Sequence, residues 1–199
     1  MNLVTKSAID FIAPTVLSDG KVVDDFCLSK HVKNKYAVLF FYPLDFTFVC
    51  PTELISLNNK ISEFAKRNVE VIGISVDSKF SHSHWRKTPI KEGGIGEISY
   101  PLVSDIKKSI SRDYGILYDD SIALRATFII DEKFIVRHQS TNDLPLGRSI
   151  DELIRTIDAI EHNKEHGEVC PAGWKKGKPA MQASDEGVAD YLNSHSEEL

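Results

Sequence analysis

Cys50 is the residue of this chain best placed to act as a nucleophile. It stands in Phe41-Tyr42-Pro43-Leu44-Asp45-Phe46-Thr47-Phe48-Val49-Cys50-Pro51-Thr52-Glu53. The apolar run from Tyr36 to Tyr42 predicts a buried strand, and Pro51 suits the first turn of a helix. That order puts the thiol at a helix N-terminus. Unpaired backbone N–H groups and the positive end of the helix dipole favour an anion there, so the sulfur is poised to lose its proton and attack as a thiolate. The residue types alone leave a second reading open, in which Cys50 is a small buried core residue, as most free cysteines are.

Other side chains have types that could serve such a sulfur, and each has an ordinary alternative. Thr47, three residues before Cys50, offers a hydroxyl, or simply a loop hydrogen bond. Pro43 has no N–H and would fix the loop and shield the sulfur from water, or serve as an ordinary turn residue. Arg125 begins a predicted core strand, where a permanent cation is costly unless it is paired or useful. Glu53, one turn beyond Cys50, and Arg148 could complete a polar network or form a surface ion pair. Cys170 lies in a Gly/Pro-rich stretch, a poor setting for a buried structural thiol. Cys27, in Asp25-Phe26-Cys27-Leu28-Ser29, has no helix-start setting and is assigned to packing.

The elements that must position these groups follow from periodicity. Leu54, Leu57, Ile61 and Phe64 recur at helical spacing, predicting a helix from Cys50 to about Arg67. Val69 to Val76 reads as a buried strand, followed by a helix holding Trp85 that the Gly93-Gly94-Ile95-Gly96 loop closes. A short strand around Tyr100 to Val103 and a helix from about Ile106 to Tyr114 come next. Thr127 to Ile130 and Phe134 to His138 flank Asp131-Glu132-Lys133 as a hairpin. Ser149-Ile150-Asp151-Glu152 is a capping box opening a helix with Ile150, Leu153, Ile154, Ile157 and Ile160 on one face. Strands alternating with helices predict an α/β fold with a central mixed sheet flanked by helices, residues 1–166. From Gly167 the prolines and glycines predict an extended arm, residues 167–199, with a short helix near Ala183 to Asn193.

Length and charge exclude several classes. At 199 residues and 42% hydrophobic, the chain has material for one well-buried core with an appendage. A formal net charge of −5 argues against nucleic acid, which needs clustered Lys and Arg. No run approaches the ~20 apolar residues of a membrane helix, and the first residues lack a secretory pattern, so a cytoplasmic location is expected. Three cysteines do not make a disulfide framework and read as reactive or buried thiols. His162-Asn163-Lys164-Glu165-His166 has the His-x-x-Glu-His spacing of some zinc peptidases but lacks a third ligand, so a solvated helix end is expected. His82 and His84 lie two apart and point different ways on a helix. Neither a metal nor a cofactor is expected.

Taken together, the motifs resemble those of one family. Pro43-x-x-x-Thr47-x-x-Cys50 matches the active-site pattern of the peroxiredoxins, and Val49-Cys50-Pro51-Thr52-Glu53 resembles that of their typical two-cysteine class. Glu168-Val169-Cys170-Pro171-Ala172-Gly173-Trp174 is similar to the resolving-cysteine segment of that class. Trp85-x-x-Thr88-Pro89, Gly93-Gly94-Ile95-Gly96 and Ala123-Leu124-Arg125-Ala126-Thr127-Phe128 extend the resemblance over nearly the whole chain.

The resemblance implies a thioredoxin-like fold and a peroxidase acting on hydrogen peroxide and organic hydroperoxides. Cys50 would form a sulfenic acid and then a disulfide with Cys170 of the partner subunit, in a homodimer of the kind that assembles into decamers. Arg125 would be the site arginine, oriented by Glu53 with Arg148 balancing it; Thr47 and Pro43 would shape the peroxide site. Thioredoxin or a flavoprotein disulfide reductase would recycle the enzyme. Gly93-Gly94-Ile95-Gly96 and Tyr191-Leu192 stand where peroxide-sensitive members carry Gly-Gly-Leu-Gly and Tyr-Phe, which implies intermediate sensitivity to overoxidation. Two other functions are carried: a thioredoxin-like thiol-disulfide oxidoreductase, although Glu53 occupies the position of a Cys-x-x-Cys partner, and a holdase chaperone as main or second activity.

Overall fold

The structure, a computed structural model, describes residues 1–198. The chain forms two compact units, Met1–Ile150 and Asp151–Leu199.

In the first unit the order is β1 (Ile12–Val16), β2 (Val22–Cys27), α1 (Leu28–His31), β3 (Tyr36–Phe41), α2 (Cys50–Asn59), α3 (Ile61–Ala65), β4 (Val69–Ser75), α4 (Lys79–Lys87), β5 (Leu102–Ser104), α5 (Ser109–Asp113), β6 (Leu117–Tyr118), β7 (Ile122–Ala123), β8 (Arg125–Ile130) and β9 (Val136–Asn142). Seven strands make one mixed sheet in the order β2-β1-β5-β4-β3-β8-β9, and β6 pairs with β7 apart from it. β3, β4 and β5 run parallel, while β8 joins β3 antiparallel, with Ala37 opposite Ile130 and Phe40 opposite Thr127. Every residue of β3 and β8 is buried, which is why β3 reads as an unbroken apolar run rather than an alternating one, while β8 buries Arg125 and Thr127 as well. Phe41, Tyr114 and Phe128 close the core, with ring centroids 4.9 to 5.7 Å apart in tilted and edge-on pairs.

Three departures from the sequence reading have local causes. The helix expected from Cys50 to Arg67 breaks at Lys60, whose φ of −110° and ψ of 12° leave the helical region after the weak helix formers Asn58 and Asn59. The helix expected from Ile106 starts only at Ser109, because the Asp105 carboxylate accepts from the N–H groups of Ile110 (3.0 Å) and Ser111 (2.7 Å). The first 35 residues, to which the sequence reading assigned no element, supply β1, β2 and α1.

The Gly93–Gly96 loop wraps one tryptophan. Trp85 is fully buried and its Nε1–H donates to the Gly93 carbonyl at 3.0 Å. A Cβ on Gly94 would lie 1.9 Å from the Thr88 carbonyl oxygen, so no side chain fits there.

The second unit holds α6 (Ile150–His166), apart from its first residue, and α7 (Asp185–His195). Gly167, at φ 70°, ends α6 and reverses the chain. The following segment runs back beside the helix it has just left. Val169 bridges to Met181, and Ser184 caps α7 by accepting from the Gly187 N–H. Among the described residues no helix is long and apolar enough to cross a membrane.

Candidate active site

The loop between β3 and α2 delivers Cys50 as the first residue of α2, fully buried, with Pro51 following it. Thr47 Oγ1 lies 2.9 Å from the sulfur and 2.8 Å from the Leu44 carbonyl oxygen. One hydroxyl carries one hydrogen, so its direction depends on the sulfur: a thiol donates to Thr47, which then donates to Leu44, whereas a thiolate accepts from Thr47.

Arg125, first residue of β8, aims Nη1 at the same sulfur at 3.4 Å. The second Nη1 hydrogen goes to Glu53 Oε2 at 2.8 Å, and Nε donates to the Leu144 carbonyl at 2.6 Å. Among the described residues Nη2 has no protein acceptor. Pro43, Thr47, Phe48, Ile122, Arg125 and Pro145 line a cleft of about 470 Å³ at this point.

Glu53 stands one turn along α2 on the face of Cys50, 3% exposed. Its Oε1 accepts from the backbone N–H and Nε of Arg148, both at 2.9 Å, and its Oε2 accepts from Arg148 Nη2 at 3.0 Å. Arg148 also donates through Nη1 to the Ala126 carbonyl and Thr127 Oγ1, and its guanidinium lies flat on the Phe40 ring, 3.3 Å from the centroid. Burial pulls this guanidinium below its ordinary range while Glu53 opposes the shift. Two buried cations thus face one carboxylate, and an ionised sulfur brings the group to neutrality. Such charges are tolerated inside a protein because every one is paired and hydrogen-bonded.

The structure therefore brings Pro43, Thr47, Cys50, Glu53, Arg125 and Arg148 together. The surface ion pair considered for Glu53 and Arg148 does not describe them, since both side chains are buried. Sequence reasoning missed Leu144, Thr127 and Phe40, because a backbone carbonyl, a strand threonine and a core phenylalanine carry no signal of their own. It also missed a buried polar group beneath the loop: the Asp45 carboxylate accepts from Tyr42 Oη (2.9 Å) and Ser81 Oγ (2.8 Å) and meets His82 Nδ1 at 2.9 Å.

Cys170 belongs to the second unit and is half-buried. Its Sγ sits 3.6 Å from the Ala159 carbonyl oxygen on α6. Burial pushes its thiol up, with Arg155 opposing. Cys27 differs from expectation: it is partly exposed, 3.5 Å from Ser29 Oγ and 3.9 Å from Asp10 Oδ2, rather than packed in the core. His162 departs as well, since it is engaged by Glu168 at 2.9 Å instead of standing in solvent.

A buried thiol at a helix start, paired with an arginine across a mixed sheet, defines a thiol enzyme of thioredoxin-like fold. The AhpC/TSA family model matches residues 4–139, and the model for the C-terminal domain of 1-Cys peroxiredoxin matches residues 159–194. The chain is 52% identical over 197 residues to alkyl hydroperoxide reductase C of Helicobacter pylori, covering 99% of this chain and 100% of the relative. It is 53% identical over 186 residues to peroxiredoxin-1 of Gallus gallus, covering 91% and 92%. The crystal structure of the reduced 2-Cys peroxiredoxin of Plasmodium vivax superposes with a TM-score of 0.94 at 51% identity, covering 97% of this chain and 100% of that one. The chain belongs to the AhpC/TSA family, and so to the peroxiredoxins, which are thiol-dependent peroxidases.

Proposed function

We propose that Cys50 is the thiol that reduces the peroxide and that Cys170 resolves the product. The observation that carries this is the sulfur of Cys50, buried at the first residue of α2 with Thr47 at 2.9 Å and Arg125 at 3.4 Å. A hydroperoxide in the adjoining cleft places its near oxygen on the thiolate. Thr47 and Arg125 bind the two oxygens, and the free Nη2 of Arg125 strengthens its bond as charge grows on the leaving oxygen. The S–O bond forms as the O–O bond breaks; the sulfur becomes a sulfenic acid, and the leaving oxygen takes a proton to depart as water or an alcohol. Glu53 fixes the Arg125 fork, and Arg148 fixes Glu53.

The Cys170 thiol then displaces water from the sulfenic acid to give a disulfide. Cys50 is wholly buried and Cys170 Sγ rests against α6, so both must leave their places before the sulfurs meet. We assign Cys170 to the partner subunit of a homodimer, with five dimers in a ring, hydrogen peroxide and organic hydroperoxides as substrates, and thioredoxin or a flavoprotein disulfide reductase as the source of electrons. Residues 1–166 form the peroxidase domain and 167–199 the arm. Free thiols throughout are consistent with work in the cytoplasm. Peroxide consumption with thioredoxin and with a flavoprotein reductase, measured on the wild type, Cys50→Ser and Cys170→Ser, tests the assignment. Turnover by Cys50→Ser would overturn it.

A further inference from the structure

On one stripe of α6, Arg155, Ala159, His162 and His166 follow one another at helical spacing. Each of the first three touches the segment that carries Cys170. Arg155 Nη1 donates to the Trp174 carbonyl at 2.8 Å, the Ala159 carbonyl receives Cys170 Sγ at 3.6 Å, and His162 Nε2 meets Glu168 Oε2 at 2.9 Å. The His162 ring also lies against the indole of Trp174, with centroids 4.8 Å apart, and against the His166 ring at 4.5 Å. Glu168 stands two residues before Cys170 and Trp174 four after it. His162 is the one side chain among these that touches the segment on both sides of the thiol. Glu168 is in turn held by Gln182 Nε2 at 3.2 Å, beside the Val169 to Met181 bridge.

We propose that His162 is a positioning residue for the resolving thiol: it clasps Glu168 through Nε2 and packs its ring, tilted by 41°, against Trp174, and so sets how often the Cys170 segment leaves α6. The proposal rests on the assignment of Cys170 as resolving thiol for its consequence, though not for its test. A tight clasp keeps Cys170 against Ala159 and prolongs the life of the sulfenic acid on Cys50, which leaves more of it open to a second peroxide. A loose clasp favours the disulfide.

The test uses the full-length chain with Cys27→Ser and Cys50→Ser, so that Cys170 is the sole thiol, and reads the rate of its alkylation by iodoacetamide. His162→Ala is expected to raise that rate about tenfold, the sum of a partly exposed hydrogen bond and a ring contact. His162→Phe keeps a ring on Trp174 and His162→Gln keeps a neutral donor to Glu168, so each is expected to fall between. Glu168→Gln should raise the rate by the same factor as His162→Phe, and combining the two should add nothing. Equal rates in all variants, or additive effects of the two substitutions, would overturn the clasp. The otherwise wild-type chain separates this from the assignment of Cys170. There, His162→Ala should lower the sulfinic fraction of Cys50 during turnover, whereas peroxide-driven dimers persisting in Cys170→Ser would refute the resolving role and leave the alkylation result standing.

Discussion

Cys50 and Cys170 are the same side chain built into opposite surroundings. Cys50 is sealed among charges that are satisfied on every side; Cys170 is half-buried against one helix, held by isolated contacts, with its thiol pushed up by burial. The first arrangement surrounds the sulfur with paired, hydrogen-bonded groups beside a cleft. The second keeps a neutral sulfur on a segment that can leave. On the proposed roles, nucleophilic attack on a peroxide rewards preorganisation, whereas disulfide formation rewards reach.

The contrast breaks most completely at the sulfurs themselves. Cys50→Ser is expected to reduce peroxide consumption to background with an unchanged circular dichroism spectrum. Cys170→Ser should still consume one equivalent of peroxide per chain but not turn over, and neither variant should form a disulfide-linked dimer on a non-reducing gel. A dimer that required Cys27 instead would show that the roles are misassigned.

Next in size is the charge network. Glu53→Gln leaves two buried guanidiniums without their carboxylate and should cost about 3–5 kcal/mol of stability, read as a lowered urea midpoint at constant slope. No substitution on the Cys170 segment should approach that loss. Arg125→Lys keeps a charge but loses the fork that reaches the sulfur, Glu53 and Leu144 at once, so the second-order rate with hydrogen peroxide should fall roughly a hundredfold, the usual cost of one lost transition-state donor. Thr47→Val should lower the same rate while Thr47→Ser restores it.

The smaller effects sharpen the other half. Removing the chain from Tyr191 onward should lower the sulfinic fraction of Cys50 at high peroxide; an unchanged fraction would show that α7 is not the brake. Because burial raises the Cys170 thiol, less of it is thiolate at neutral pH. Disulfide formation should therefore quicken as pH rises from 7 to 9, by less than tenfold per unit, in stopped-flow measurements of the second kinetic phase.

Much of this was legible in the sequence because the catalytic loop states its own geometry. An apolar strand, a turn and a proline one residue after a cysteine can put that cysteine in few places, and Arg125 at the start of a core strand asks for a partner. What the sequence could not show is which groups satisfy a cation from the backbone. The Leu144 carbonyl holds Arg125 and the Ala126 carbonyl holds Arg148, and any residue has a carbonyl. The N-terminal strands were invisible for a different reason. β2 lies at the sheet edge with half of its six residues exposed, and its Val-Val-Asp-Asp pattern neither alternates nor runs apolar. His162 reads as a polar helix end until the chain folds back, because its partners lie six and twelve residues later in a stretch with no periodicity.

The near-neutral cluster around Cys50 has a redox meaning. Oxidation to a sulfenic acid or a disulfide removes the negative sulfur but leaves both guanidiniums and the single carboxylate in place, so the oxidised pocket carries an unmatched buried cation. Linkage converts that penalty into a midpoint potential: each 1.4 kcal/mol by which the packed site prefers the reduced sulfur raises the two-electron potential by about 30 mV. On the proposed role of Cys50, the arginines that favour attack by its thiolate also favour reduction of its disulfide by a dithiol donor.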